Sequence, residues 1–369
     1  MPSTPRELVD IATRHQVMLE RLKSGEWKDL QQFVDEMQRI ITSRLRSADN
    51  LTAFTLRRLT RFQTATREAL NDPIREFRRA WRREMERIAR SEARFEARSL
   101  DNVLVRTTTD LPTDQQIAAA VFNNPLQARG VTGDQLLGSF FRGWERAAVE
   151  QITGEIRIGV TQGLTNRQIE QSITGTVAAQ FRDGAMAQIR RRAETIVRTS
   201  VQHVSQQARQ ATWEQNSDIV RRVRFVATLD SRTSQQCSSI DGMEFPVGKG
   251  PRPPLHPNCR STTVAVLDGR LAVLGEEGTR AARNVDDRRR IDDVPAGQTY
   301  YGWLKQQPAE FQAEAIGPTR AKLLRDGGLT AEQFADLQLG RRFEPISLEQ
   351  MEADAPIVFE RAGVEIKRD

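Results

Sequence analysis

The stretch from Arg57 to Arg98 limits what this chain can fold into more than any other. It carries 13 arginines against seven acidic residues, yet Leu70, Ile74, Phe77, Trp81, Met85, Ile88 and Phe95 recur through it at near-heptad spacing. An apolar residue every three or four positions makes a narrow stripe on an α-helix, whereas a half-buried strand needs strict alternation. The segment therefore reads as a long polar rod with one seam to bury. Its surplus of +6 equals the formal net charge of the whole 369-residue chain. Asp72 and Pro73 read as the N-cap and first position of a restarting helix. Arg78, Arg79, Arg82, Arg83, Arg87 and Arg90 are candidate contacts to DNA phosphates or to an acidic protein surface; the plainer reading is a packed helix with a solvated face. No base-reading motif accompanies them, so any DNA contact is expected to be non-specific.

The rest of the N-terminal half continues the theme. Thr4 and Pro5 resemble a cap and first helical position, and Leu8, Ile11, Ala12, His15, Met18, Leu19 and Leu22 mark a helical face. Ser24-Gly25 is expected to break it before a second run, Leu30, Phe33, Val34, Met37, Ile40, Ile41 and Leu45. With 38% hydrophobic and 28% charged residues and a mean hydropathy of −0.56, the chain suits solvated helices in two or three domains better than one large sheet. No run approaches the roughly 18 apolar residues of a membrane span, and the N-terminus lacks the apolar core of a secretory signal. Two cysteines in a chain this long make no disulfide framework, which points to folding in a reducing compartment.

Residues 101–134 read as a connector, with Gly130 among its breakers and one short helix at 113–122. Helical periodicity returns from Gln135, Thr165 to Gln168 forms a capping box, and 185–215 is the clearest amphipathic helix, its small residues implying close packing on something flat. Two strand-like runs follow, 222–229 and 261–267, with a short one at 243–247. The first two are expected to pair, and they flank a window holding both cysteines and one of three histidines: Cys237, His256 and Cys259. Pro251, Pro253, Pro254 and Pro257 stiffen the loop, and Asp241-Gly242 is a turn signal. Three soft donors fall one short of a closed structural zinc site; Asp230, Asp241 or a residue elsewhere is a candidate fourth. A disulfide, a Cys–His nucleophile and a metal-free packed loop remain alternatives. We read the window as a brace, with zinc as its candidate ion.

The residues here carry a family resemblance. Arg198-Thr199 on a helix, then Thr228, Asp230, Arg232 and Thr233, then Cys237, Asp241-Gly242 and Phe245, then Pro253-Pro254-Leu255-His256-Pro257-Asn258-Cys259-Arg260 is similar to the phage Mu F-like head-morphogenesis domain over 135–268. Ser261 stands where that family often has another cysteine. A weaker likeness covers 299–340, through Trp303, Gln307, Phe311, Gly317, Arg320, Leu323 and Gly327. There Pro308, Pro318 and a Thr330–Gln333 capping box mark short helices, and 269–298, with its DDRRRIDD run, reads as a charged linker.

The expected architecture is mainly α with a small α+β domain: long basic helices over 1–100, the connector, the Mu F-like domain, the linker and a short-helix region over 299–369. The resemblance implies a non-enzymatic minor head protein of a tailed phage, inside the virion near the portal after assembly in the host cytoplasm. Its implied partners are the portal, other head proteins and packaged DNA. A zinc-dependent hydrolase or transferase centred on the Cys/His loop and a non-specific DNA-binding protein are the competing readings.

Overall fold

A computed structural model describes residues 2–3, 6–105, 107–128, 135–268, 271, 278–287 and 289–366. Thr4, Pro5 and Gly130 lie outside them. In chain order the elements are β1 (Pro2–Ser3), α1 (Arg6–Ser47), α2 (Leu56–Asp101), α3 (Asp114–Asn123), β2 (Pro125–Leu126), β3 (Gln135–Leu136), α4 (Leu137–Thr161), α5 (Asn166–Thr174) and α6 (Ala185–Gln215). Then come β4 (Val220–Val226), α7 (Gln235–Ser239), β5 (Glu244–Pro246), β6 (Thr262–Asp268), β7 (Thr279–Arg283) and β8 (Ile291–Pro295), and six short helices from α8 (Tyr300–Leu304) to α13 (Pro356–Ala362). The mainly α class with a small sheet is as expected.

Two expected helix breaks are absent. Helix α1 runs unbroken through Ser24-Gly25 because its buried stripe (Leu8, Ala12, Leu19, Lys23, Glu26, Leu30, Val34, Met37, Ile41, Leu45) never loses phase there, while Ser24 and Gly25 face outward. A glycine costs a helix interior only about 1 kcal/mol, less than the packing on either side returns. Met18, expected on this face, is 63% exposed. Pro73 likewise lies inside α2 rather than at its start. The ring removes one backbone bond at a cost of about 3 kcal/mol, but Leu70, Ile74, Phe77 and Trp81 remain buried across it.

The chain forms two compact units. One, Arg21–Ile88 with Gln135–Val201, is helical. Its centre is aromatic: Phe77 meets Phe141 and Trp144 edge-on, each at 5.1 Å, and the Trp144 indole donates to the Ile189 carbonyl at 3.3 Å. Helix α5 begins with the expected Thr165/Gln168 box. The Asn166 amide donates to the Leu45, Ala48 and Asp49 carbonyls and so satisfies the end of α1.

The other unit, Met1–Glu20, Ala89–Asp134 and Gln202–Asp369, holds a four-stranded antiparallel sheet of order β1-β6-β4-β5. The expected pairing of the two runs flanking the Cys/His loop is present, with Val223 opposite Ala265 and Phe225 opposite Thr263. Strand β4 is buried on both faces toward its end, because Val226 is covered as well as Phe225 and Ala227. Residues 202–215 of α6 reach the sheet through Gln206 to Thr263 Oγ1 and Arg209 to Thr262 Oγ1 and the Thr263 carbonyl. Arg209 also pairs with Glu96 at 2.6 Å, both about 3% exposed, and Trp213 donates to the same carboxylate.

The segment read as a charged linker contains a β-hairpin, β7 against β8. Its alternation was masked by charge, since one inward-facing residue, Arg280, is itself an arginine. The C-terminal helices are part of the same unit and not a loose tail. Tyr300, Tyr301, Trp303, Phe311, Phe334, Met351 and Phe359 form one core that takes in Leu229, shortly after β4, and Ala282 of β7.

Candidate metal centre

The loop between β4 and β6 is organised by two carboxylates. Asp241 accepts from the Ala227 amide at 2.7 Å, from the Tyr300 amide at 2.6 Å and from the Arg280 guanidinium at 2.9 and 3.3 Å. It thereby joins the end of β4, the hairpin and the start of α8, while Gly242 beside it adopts a φ of +89° that glycine takes without strain. Asp230 accepts from the Arg232 amide, from Thr233 Oγ1 and from both terminal nitrogens of Arg260. Burial alone would raise its pKa; the hydrogen bonds and charge of Arg260 outweigh that and hold it below the usual carboxylate range. Thr228 Oγ1 donates to the Arg260 carbonyl, and Thr233 Oγ1 to the Thr228 carbonyl. The motif residues Thr228, Asp230, Thr233, Asp241 and Arg260 are thus one bonded frame. Arg232 contributes its amide and leaves its side chain exposed. Arg198 donates to Ser24 on α1 at 3.2 Å, and Thr199 is fully buried.

Within this frame the three soft donors converge. Cys237 sits in α7, whose N-cap Ser234 accepts from its amide. His256 and Cys259 are the ends of a tight turn, closed by the Cys259 amide donating to the His256 carbonyl at 3.2 Å. Pro257 fits the second position of such a turn, and Asn258 takes the left-handed third, with a φ of +59°. The H-P-N-C spacing is therefore a folding instruction that sets both donors on one side. Cys237 Sγ lies 3.4 Å from His256 Nε2 and 3.8 Å from Cys259 Sγ, and the three donor atoms lie within 4.8 Å of one another. Both sulfurs belong to fully buried residues, in an apolar cluster with Phe225, Ala227, Ile240, Phe245 and Leu255. Pro253 and Pro254, joined by a cis bond, lead into Leu255.

The cluster shares its protons unevenly. The hydrogen bond to Cys259, and then burial, push the Cys237 thiol up. Burial pushes Cys259 up too, but its hydrogen bonds with Cys237 and His256 and the imidazole's charge prevail and bring it below the usual thiol range. Burial lowers His256, and the bond to and charge of Cys259 more than reverse this. The carboxylates considered as a fourth ligand, Asp230 and Asp241, are both engaged by arginines instead, Arg260 and the buried Arg280. Sequence reading missed Arg280, Tyr300 and Tyr301. The tyrosines carried a signal like that of the cysteines: they are the chain's only two, adjacent, and both bonded to this loop, Tyr300 to the Asp230 carbonyl and Tyr301 to Ser238 and Ser239.

The arginines of α2 divide into two groups. Arg78 grips Glu145 with two bonds of 2.7 Å. Arg79 pairs with Glu76, Arg82 with Glu86, and Arg87 with both Glu84 and Glu26. Arg83 is exposed and Arg90 half-buried; among the described residues neither forms an ion pair.

Comparison with known proteins agrees with the motif. Residues 150–264 match the family described as Phage Mu protein F like protein. No curated protein and no solved structure matches the chain significantly. Among the described residues no helix is long and apolar enough to cross a membrane. The family is one of phage head proteins, which sets the expected surroundings as the virion and the expected partners as other head proteins. The matched segment contains Cys237, His256 and Cys259 and nearly all of the frame around them, so residues 150–264 of the chain are similar to the Phage Mu protein F like family.

Proposed function

We propose that the chain is a structural minor component of the head, held inside the shell beside the portal, where it supports assembly and the packaging or delivery of DNA. The family match over 150–264 carries this reading. It is supported by how the motif is used: its polar residues hold the loop to β4, the hairpin and α8, and its sulfurs are buried. A nucleophile or general base needs access to substrate, so we read the loop as non-catalytic. Helix α2 supplies a basic face for an acidic portal surface or for DNA phosphates. Arg83 and Arg90 are the residues best placed for such contacts, because Arg78, Arg79, Arg82 and Arg87 must first give up internal carboxylates.

Heads assembled without this chain are expected to form shells that package or deliver DNA poorly. Full infectivity in its absence overturns the proposal. In the same system, Arg83→Glu with Arg90→Gln is expected to weaken co-purification with the portal while leaving the melting temperature unchanged. Phosphate contacts would make DNA retention fall steeply with added salt.

A further inference from the structure

We propose that Cys237, His256 and Cys259 bind one zinc ion as a structural staple across the loop between β4 and β6.

The spacing of the donors is the first observation. Zinc holds sulfur at about 2.3 Å and imidazole nitrogen at about 2.0–2.1 Å in a tetrahedron, which places neighbouring sulfurs about 3.8 Å apart and sulfur and nitrogen about 3.5 Å apart. The protein sets its two sulfurs 3.8 Å apart and Cys237 Sγ 3.4 Å from His256 Nε2. A disulfide needs the sulfurs at about 2.05 Å; the two are free thiols at a separation that two ligands of one zinc ion also have.

The second observation is the orientation of the imidazole. His256 Nδ1 lies 3.0 Å from the Pro257 carbonyl, which can only accept. Nδ1 therefore donates, and Nε2, which faces the sulfur, is the nitrogen left to offer its lone pair to a metal. A ligand histidine held through its other nitrogen by a backbone carbonyl is the usual outer-shell arrangement at zinc.

The donor set selects the metal. Two thiolates and an imidazole suit zinc and exclude magnesium and calcium, which take oxygen. Since Asp230 and Asp241 are bonded to Arg260 and Arg280, the fourth position falls to water or to a neighbouring hydroxyl, in a loop packed into an apolar cluster. The thiols give up their protons to solvent as the ion binds, and no oxidant is involved. The staple would tie α7 to the His256–Cys259 turn at the mouth of the β4–β6 pair.

Full-length protein purified without chelator is expected to contain about one zinc per chain. Replacing the zinc with cobalt should give the near-ultraviolet thiolate-to-cobalt band and the visible bands of a tetrahedral site. Cys237→Ser and Cys259→Ser should lose stoichiometric metal. His256→Cys should keep it and strengthen the thiolate band, a gain that does not depend on the serine variants folding. Folded wild-type protein that takes up no zinc on addition and dialysis overturns the proposal. So does a Cys237–Cys259 disulfide found by mass spectrometry, or zinc retained in full by folded Cys237→Ser.

Discussion

His203 is buried on α6 and donates from Nε2 to the Val121 carbonyl at 3.0 Å. Burial lowers its pKa from 6.5 to about 4, the bond to Val121 opposing only part of that. Between those values the unfolded chain holds a proton that the folded chain does not, so folding is disfavoured as pH falls through the window. The contribution is intact above pH 6.5, and about 3 kcal/mol is lost by the foot of the window. His203→Gln keeps a donor for Val121 without the charge. Its melting temperature should fall less than wild type's between pH 7 and pH 5; equal losses would refute the assignment. Asp241 gives a second test. Asp241→Asn places an amide against the Ala227 and Tyr300 donors and leaves the Arg280 charge buried and unpaired, which costs about 3–5 kcal/mol. Denaturant unfolding should show a loss of that size, and a change under about 1 kcal/mol would mean that the frame is not held as described.

At the scale of elements, Gly25 shows how packing overrules a local signal. It lies in mid-helix on the exposed side of α1, and a Cβ there meets nothing within 4 Å. Gly25→Ala should therefore stabilise the protein by about 0.5–1 kcal/mol, read as a raised melting temperature; destabilisation would show that α1 needs the glycine. Capping chemistry was legible in advance. Thr165 and Thr330 each accept from the third helical amide, as the T-x-x-Q spacing states, and Thr113 caps α3 in the same way. Helix α6 also begins and ends where its apolar periodicity does, at Ala185 and Gln215. The hairpin β7–β8 was not legible, because strand periodicity is read from apolar residues. Here the inward positions are Arg280 and Ala282, and distant partners, Asp241 39 residues earlier with the Ala227 and Gln298 carbonyls, make a buried arginine tolerable.

For the whole molecule, the C-terminal helices bear on the loop they follow. Tyr300 holds Asp230 and Asp241, Tyr301 takes up Ser238 and Ser239, and the Gln236 amide donates to the Phe343 carbonyl. Deleting residues 299–369 should abolish the cooperative unfolding of the unit that contains the sheet. A truncated chain that melts as sharply as the full one would show that the two stretches fold apart. The chain's periodicities, caps, turn residues and clustered Cys and His determined the mainly helical class, the β4–β6 pair, the H-P-N-C turn and the identity of the metal-ligating candidates. These are local properties, fixed by backbone preference and by spacing along a few turns. Tertiary structure alone decided that α1 and α2 run through their glycine and proline. It also decided that four of the six candidate arginines are paired within the chain, and that Asp230 and Asp241 serve Arg260 and Arg280 instead of an ion. Each of those outcomes depends on which charge or apolar surface lies opposite after folding, and sequence distance carries no record of that.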